Sequence, residues 1–151
     1  MPVVNGIPSD GPWFRAQGEL HGSPLMIRAR QDLLALITDC DLPIRVIVKW
    51  KCRAPLSLGL PSPDDYHEIS AFEESVMSFL EGGAILAFVL AHDGVVEYNF
   101  YTRDSAWFVG RLNDALADKP IVPIDLTSED DSDWTEYRSL LRRVGMDGSA
   151  A

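Results

Sequence analysis

The sequence predicts an α+β fold: a ferredoxin-like split βαβ core, with helices on one face of an antiparallel sheet, plus an N-terminal β-hairpin and a C-terminal helix. Three observations predict it. Ile44 to Arg53 alternates strictly, with Ile44, Val46, Val48, Trp50 and Cys52 on one face and Arg45, Ile47, Lys49, Lys51 and Arg53 on the other, the period of a half-buried strand. Between Ser62 and Glu81, Ile69, Phe72, Val76, Phe79 and Leu80 recur at helical spacing, which buries one stripe. Ala84 to Ala91 and Val95 to Thr102 flank His92-Asp93-Gly94, and Asp-Gly is the dipeptide a tight type I′ hairpin turn prefers. From Ile44 the elements then read strand, helix, strand, strand, helix, strand, the order of a split βαβ unit.

Taken from the N-terminus, Met1 to Pro12 reads as a loose lead-in with no targeting segment, since it holds neither a basic cluster nor an apolar run of signal-peptide length. Trp13 to Leu20 and Leu25 to Arg30 form a hairpin around His21-Gly22-Ser23-Pro24. Gln31 to Cys40 fits a short helix through Leu33, Leu34 and Ile37, or an irregular connection, equally well. Ser62-Pro63-Asp64-Asp65 supplies a capping hydroxyl, a proline at the first helical position and acids near the positive end of the dipole, and Gly82-Gly83 ends that helix. Ser105 to Asp118 is the second helix, Ile121 to Leu126 the next strand and Trp134 to Val144 the last helix, reached through the acid-rich linker Ser128 to Asp133. The expected layout is a lead-in over 1–12, a single α+β domain over 13–145 and a tail over 146–151.

The 151 residues are 46% hydrophobic and 24% charged, the balance of a globular domain large enough to build a core without staples. With 13 basic against 23 acidic residues the net charge is -10, which repels nucleic acid and anionic lipid and makes a basic surface the natural complement. The longest apolar run is Ala84 to Ala91, well short of the roughly 20 residues a membrane-spanning helix needs. Cys40 and Cys52 sit in no CxxC motif and read as free thiols of a cytoplasmic protein.

The motif set Trp13, Val48-Lys49-Trp50-Lys51, Gly59-Leu60-Pro61, Asp93-Gly94 through Glu97-Tyr98-Asn99-Phe100-Tyr101-Thr102, and Asp130-Asp131-Ser132-Asp133-Trp134 with Tyr137 resembles a bacterial family catalogued as domain of unknown function 695. The resemblance runs from Gly11 to Gly145, and Gln31 to Asp41 is the segment that does not align with it. The family has no established activity, so the resemblance brings no catalytic residues. The chain is also distantly similar in layout to the bacterial protein inhibitors of ribonuclease E, acidic ferredoxin-like proteins that act by binding; that similarity is one of fold.

No local motif points to catalysis. His21, His67 and His92 have no metal-ligand spacing, and the run Glu129 to Asp133 lacks the alternating ligands and glycine of a calcium loop, so that Ser132 or Asp133 is expected to cap the last helix. There is no nucleophile elbow and no phosphate loop. No cofactor or metal is expected. What remains is the outward sheet face, where Arg45, Lys49, Lys51 and Arg53, joined by Arg28 and Arg30, would gather six of the thirteen basic residues beside Glu97, Asn99, Tyr101 and Arg103. Cross-strand pairing with Glu97 accounts for part of that pattern. Ile85, Ala87 and Val89 on the same side need a cover, either the last helix or a second subunit packed sheet to sheet. The expected function is a non-enzymatic interaction or regulatory protein with a protein partner, in one form an inhibitor or immunity protein. The alternatives are a nucleic-acid module that uses the basic sheet face and stacks bases on Tyr101 or Trp50, or an enzyme whose site assembles only in space.

Overall fold

The computed structural model describes residues 3–4, 7–8, 11–37 and 40–145. Two short strands, β1 (Val3–Val4) and β2 (Ile7–Pro8), pair antiparallel. Ile7 is fully buried, so the lead-in contributes to the core. The elements that follow are β3 (Trp13–Leu20), β4 (Ser23–Arg30), β5 (Ile44–Lys51), α1 (Pro63–Leu80), β6 (Ala84–His92), β7 (Val95–Thr102), α2 (Ser105–Leu116), β8 (Ile124–Asp130) and α3 (Thr135–Arg143). The expected tail, 146–151, lies outside the described residues, and no described helix is long and apolar enough to cross a membrane.

β3 to β8 form one six-stranded sheet in the order β3-β4-β6-β7-β5-β8, antiparallel at every junction. β5 and β6 therefore share a direction with β7 between them, and α1 joins them. α2 likewise joins β7 to β8 across β5. This is the split βαβ connectivity expected from the element order. Both hairpins turn in two residues of positive φ, His21 (53°) with Gly22 (83°) and Asp93 (47°) with Gly94 (78°), the backbone of type I′ turns. Ser23 and Pro24 are already in the strand.

α1 and α2 cover one face. Val46, Val48, Trp50, Tyr98 and Phe100 from the sheet meet Ile69, Phe72, Val76, Phe108 and Leu112 from the helices. α3 covers the other face together with the connection before β5. Leu33, Ile37, Cys40 and Leu42 pack there with Ile85, Ala87, Phe88, Tyr101, Trp134, Tyr137 and Leu141. Within that connection Leu36 and Ile37 both donate backbone hydrogen bonds to the Leu33 carbonyl, so it is one tight turn inside an irregular segment.

Three expectations are corrected. Ile85, Ala87 and Val89 do not share a face: Leu86 pairs with Phe100 and Phe88 with Asn99, leaving Ala87 as the extra residue of a bulge. The alternation slips by one there, which puts Ala87 and Phe88 under α3 and sends Val89 and Ala91 to the α1 side. The strand expected over Ile121 to Leu126 runs from Ile124 to Asp130. Pro120 and Pro123 have no N–H for a ladder, Ile121 is 94% exposed, and the polar residues from Thr127 on are held as an edge strand by pairing with β5. Finally, α3 is capped by neither Ser132 nor Asp133. Trp134 holds the N-cap position in a left-handed conformation (φ 54°) with no side-chain cap bond. The Asp131 carboxylate accepts from the backbone N–H of Thr135 (2.7 Å) and Glu136 (3.2 Å) and from the Tyr101 hydroxyl (2.7 Å).

Candidate ligand recess beneath helix α1

The basic residues expected on one sheet face are divided among different environments. Arg45, Lys49 and Lys51 do project on the α3 side, and each meets a carboxylate. The Arg45 guanidinium bonds Glu129 (3.0 Å from Nε) and Asn99, Lys49 lies 3.9 Å from Glu97 directly across the strand pair, and Lys51 lies 3.2 Å from Asp125. Arg28 belongs to the opposite face. It pairs in register with Val89, directly opposed residues share a face, and the bulge has turned Val89 toward α1. Arg53 lies beyond the end of β5, where it bonds Glu68 at 2.9 Å. Arg30 is fully buried with both its Nε and Nη2 on Asp32 at 2.9 Å. Arg103 lies 3.6 Å from Asp41. Tyr101 is fully buried, its ring stacked on Trp134 at 3.8 Å and 8°, which removes it as a platform for bases.

A different constellation forms where the β3–β4 hairpin carries the sheet past α1. Met26 and Arg28 of β4, Val89 and Ala91 of β6, and Val96 and Tyr98 of β7 make the floor and one wall; Tyr66, Ile69, Ser70 and Glu73 of α1 make the other wall, with Arg15 at the rim. The recess is open to solvent and has a volume of about 200 Å³. Alternation along β7 points Tyr98 at the helix, where Phe72 wedges its ring between those of Trp50 and Tyr98 (centroids at 5.0 and 5.8 Å).

Tyr98 is 1% exposed and its hydroxyl meets no hydrogen-bond partner. Burial first, then the nearby Glu73 charge, drive its pKa far above that of an ordinary phenol, so the group stays protonated and able to donate. Glu73 lies beside the hydroxyl and raises that pKa both by its charge and as a hydrogen-bond acceptor, although the contact falls outside regular hydrogen-bond geometry. Its carboxylate pairs instead with Arg28, whose guanidinium also lies over the Trp13 ring at 5.2 Å. Arg15, opposite Arg28 across the hairpin, is exposed and forms no ion pair with the described residues. Two guanidinium groups against one carboxylate leave the recess locally positive in a chain of net charge -10.

Sequence reasoning missed this site because its parts come from β3, β4, β6, β7 and α1, and only the register of β4 on β6 brings Arg28 to Glu73. Tyr98 read simply as core. The only local hint was Arg15 and Arg28 on neighbouring strands of a legible hairpin.

No other chemistry gathers among the described residues. No group of three or more His, Cys, Asp and Glu side chains there could hold a metal ion. His92 lies against Asp93 and Glu97, at 3.1 and 3.3 Å. Neither cysteine is in a disulfide, and burial, reinforced by the Asp65 charge, pushes the Cys52 thiol up to about 11, which keeps it un-ionised and a poor nucleophile near neutral pH.

Comparison with known proteins places this geometry in a family context. No curated protein and no solved structure matches the chain. The model of a family described as "Family of unknown function (DUF695)" matches residues 12–142, from the start of the N-terminal hairpin into α3. That span takes in every strand and helix that builds the recess, and the chain therefore belongs to the DUF695 family.

Proposed function

We propose that this chain is a non-enzymatic interaction protein that binds another protein, and that the recess beneath α1 receives a group from that partner. The observation that carries this reading is the recess itself, an open and largely apolar hollow of about 200 Å³ flanked by two arginines. The rim supports a protein as the source. Tyr66, 46% exposed, and Arg15 flank the opening, and tyrosine and arginine are among the residue types that carry interface energy. The acidic charge of the whole chain would steer a partner with a basic surface toward it.

The test is affinity capture with the full chain, run in parallel for wild type, Arg15→Glu, Tyr66→Ala and Lys49→Ala. All three substitutions fall on half-exposed or exposed side chains and leave the fold intact, as circular dichroism would verify. A protein retained by wild type and Lys49→Ala, and reduced at least ten-fold by Arg15→Glu and Tyr66→Ala, supports the reading. Equal capture by all four chains, or loss with Lys49→Ala alone, moves the interface elsewhere and overturns it.

A further inference from the structure

We infer that a second copy of this chain pairs with the outer edge of β3, antiparallel and centred on Gln17, so that Arg15 of each copy faces Glu19 of the partner subunit and the two sheets join into one. This goes beyond the reading of the recess and rests on the backbone register of the hairpin.

β3 is the outermost strand at the hairpin end of the sheet, and the described part of the lead-in pairs only with itself and adds no strand there. Which backbone groups point outward follows from the turn. In a hairpin closed by two residues the flanking pair, here Leu20 and Ser23, exchanges hydrogen bonds. Every second residue back along the strand, Gly18, Ala16 and Phe14, therefore points its N–H and C=O groups inward at β4. The bond from the Gln31 N–H to the Pro12 carbonyl, at 3.1 Å, continues the same alternation past the strand end. Arg15, Gln17 and Glu19 point theirs outward, where nothing among the described residues bonds them. Such an edge is a template for another strand. Nothing here blunts it, since β3 holds no proline and pairs with β4 in unbroken register.

The sequence selects the occupant and the register together. Hydrogen-bonded pairs must join outward-pointing residues, so a second antiparallel copy has only a few ways to dock. Centring on Arg15 or on Glu19 sets like charges face to face, which is unfavourable, and centring on Ala16 or Gly18 leaves neither charge opposite its counterpart. Centring on Gln17 sets Arg15 opposite Glu19 twice, by symmetry. In the monomer both side chains are exposed and form no ion pair with the described residues. On the other face of the strand the same register sets the half-buried Phe14 opposite the half-buried Leu20, and Ala16 opposite Gly18. The patch is thus complementary to itself, as a two-fold interface requires, and each facing pair exchanges two backbone bonds, about six in all. The helices already cover both faces of the sheet, which leaves an edge, and not a face, for a second copy.

The experiment follows the mass of the full chain by light scattering and sedimentation equilibrium over a concentration series, where it should rise from 16.7 kDa toward twice that value. Arg15→Glu or Glu19→Arg alone opposes like charges at two places and should weaken self-association about ten-fold. The double exchange restores the pairing with its signs reversed and should recover association to within about three-fold. Gln17→Pro removes an outward N–H and none that β4 uses, so it should fold and remain monomeric. Amide exchange at Arg15, Gln17 and Glu19 should slow as concentration rises, while Ala16 and Gly18 stay protected throughout. A monomeric mass up to millimolar concentration overturns the proposal, and so does a dimer that Gln17→Pro leaves intact. Weakening by the single exchanges without recovery in the double overturns the facing of Arg15 and Glu19. Glu19 lies outside the recess lining, so partner capture by Glu19→Arg separates loss of self-association from loss of the recess.

Discussion

Two buried polar side chains flanking the start of α1 stand in opposite conditions. Asp65 is saturated: its carboxylate accepts from the backbone N–H groups of Arg53 (3.0 Å), Ala54 (3.0 Å) and Ser62 (3.1 Å) and from the Ser62 hydroxyl (3.1 Å), and that hydroxyl in turn accepts from the Asp65 N–H at 3.2 Å. Tyr98 has only Glu73 beside its hydroxyl, outside regular hydrogen-bond geometry. Burial alone would raise the pKa of Asp65, but these hydrogen bonds outweigh it and hold the carboxyl below its usual range. A carboxyl depressed in the folded state adds stability above its unfolded pKa, and that contribution is lost as the pH falls through the folded value. Asp65→Ala should therefore cost about 2–4 kcal/mol at pH 7. The difference from wild type should shrink in urea titrations taken below pH 4, and a constant difference across that range would contradict the assignment. The sequence showed a capping hydroxyl, a proline at the first helical position and acids near the helix dipole. It could not show that Asp65 also ties down the chain at Arg53 and Ala54, because that reach depends on how the loop between them folds back.

At the scale of elements, legibility followed how much of a strand's character was its own. β5 is flanked on both sides and buried on one face, so strict alternation was enough to read it. β6 is apolar on both faces, so its sequence could not reveal the bulge at Ala87, and the side chains beyond it were assigned to the wrong side. β8 has few apolar residues and exists because Asp125, Thr127 and Glu129 lie opposite Lys49, Ile47 and Arg45. α3 is fastened by one side chain above all. Trp134 stacks on Tyr101, meets Tyr137 edge-on at 5.8 Å and 87°, and donates from Nε1 to the Leu42 carbonyl at 3.1 Å. Trp134→Ala should cost about 3–5 kcal/mol through the cavity it opens, whereas Trp134→Phe, which loses mainly the hydrogen bond, should cost about 1–2 kcal/mol. Chemical denaturation of the two variants checks both the sizes and the order.

For the molecule as a whole, one sheet carries two cores, and β6 and β7 supply side chains to each. Neither face can come apart without stripping the shared strands, so the two should unfold together. Trp50 reports on the α1 side and Trp134 on the α3 side. With 5-fluorotryptophan incorporated, their fluorine resonances should disappear at the same urea midpoint, and separate midpoints would mean that the layers are independent. The order of elements was readable from sequence, while the pairing partners of the N-terminal hairpin were not. The hairpin's docking beside β6 decides where the recess opens, which is why the fold was more legible than the site. The acidic outer edge has a bearing on association as well. β8 ends the sheet with exposed Asp125, Glu129 and Asp130 along a strand whose outer side pairs with no other strand among the described residues. Another chain adding there would have to bury those charges. The sheet is closed to growth at that margin by electrostatics, and the proposed partner site lies toward the opposite margin, where the hairpin and its two arginines overhang the helix.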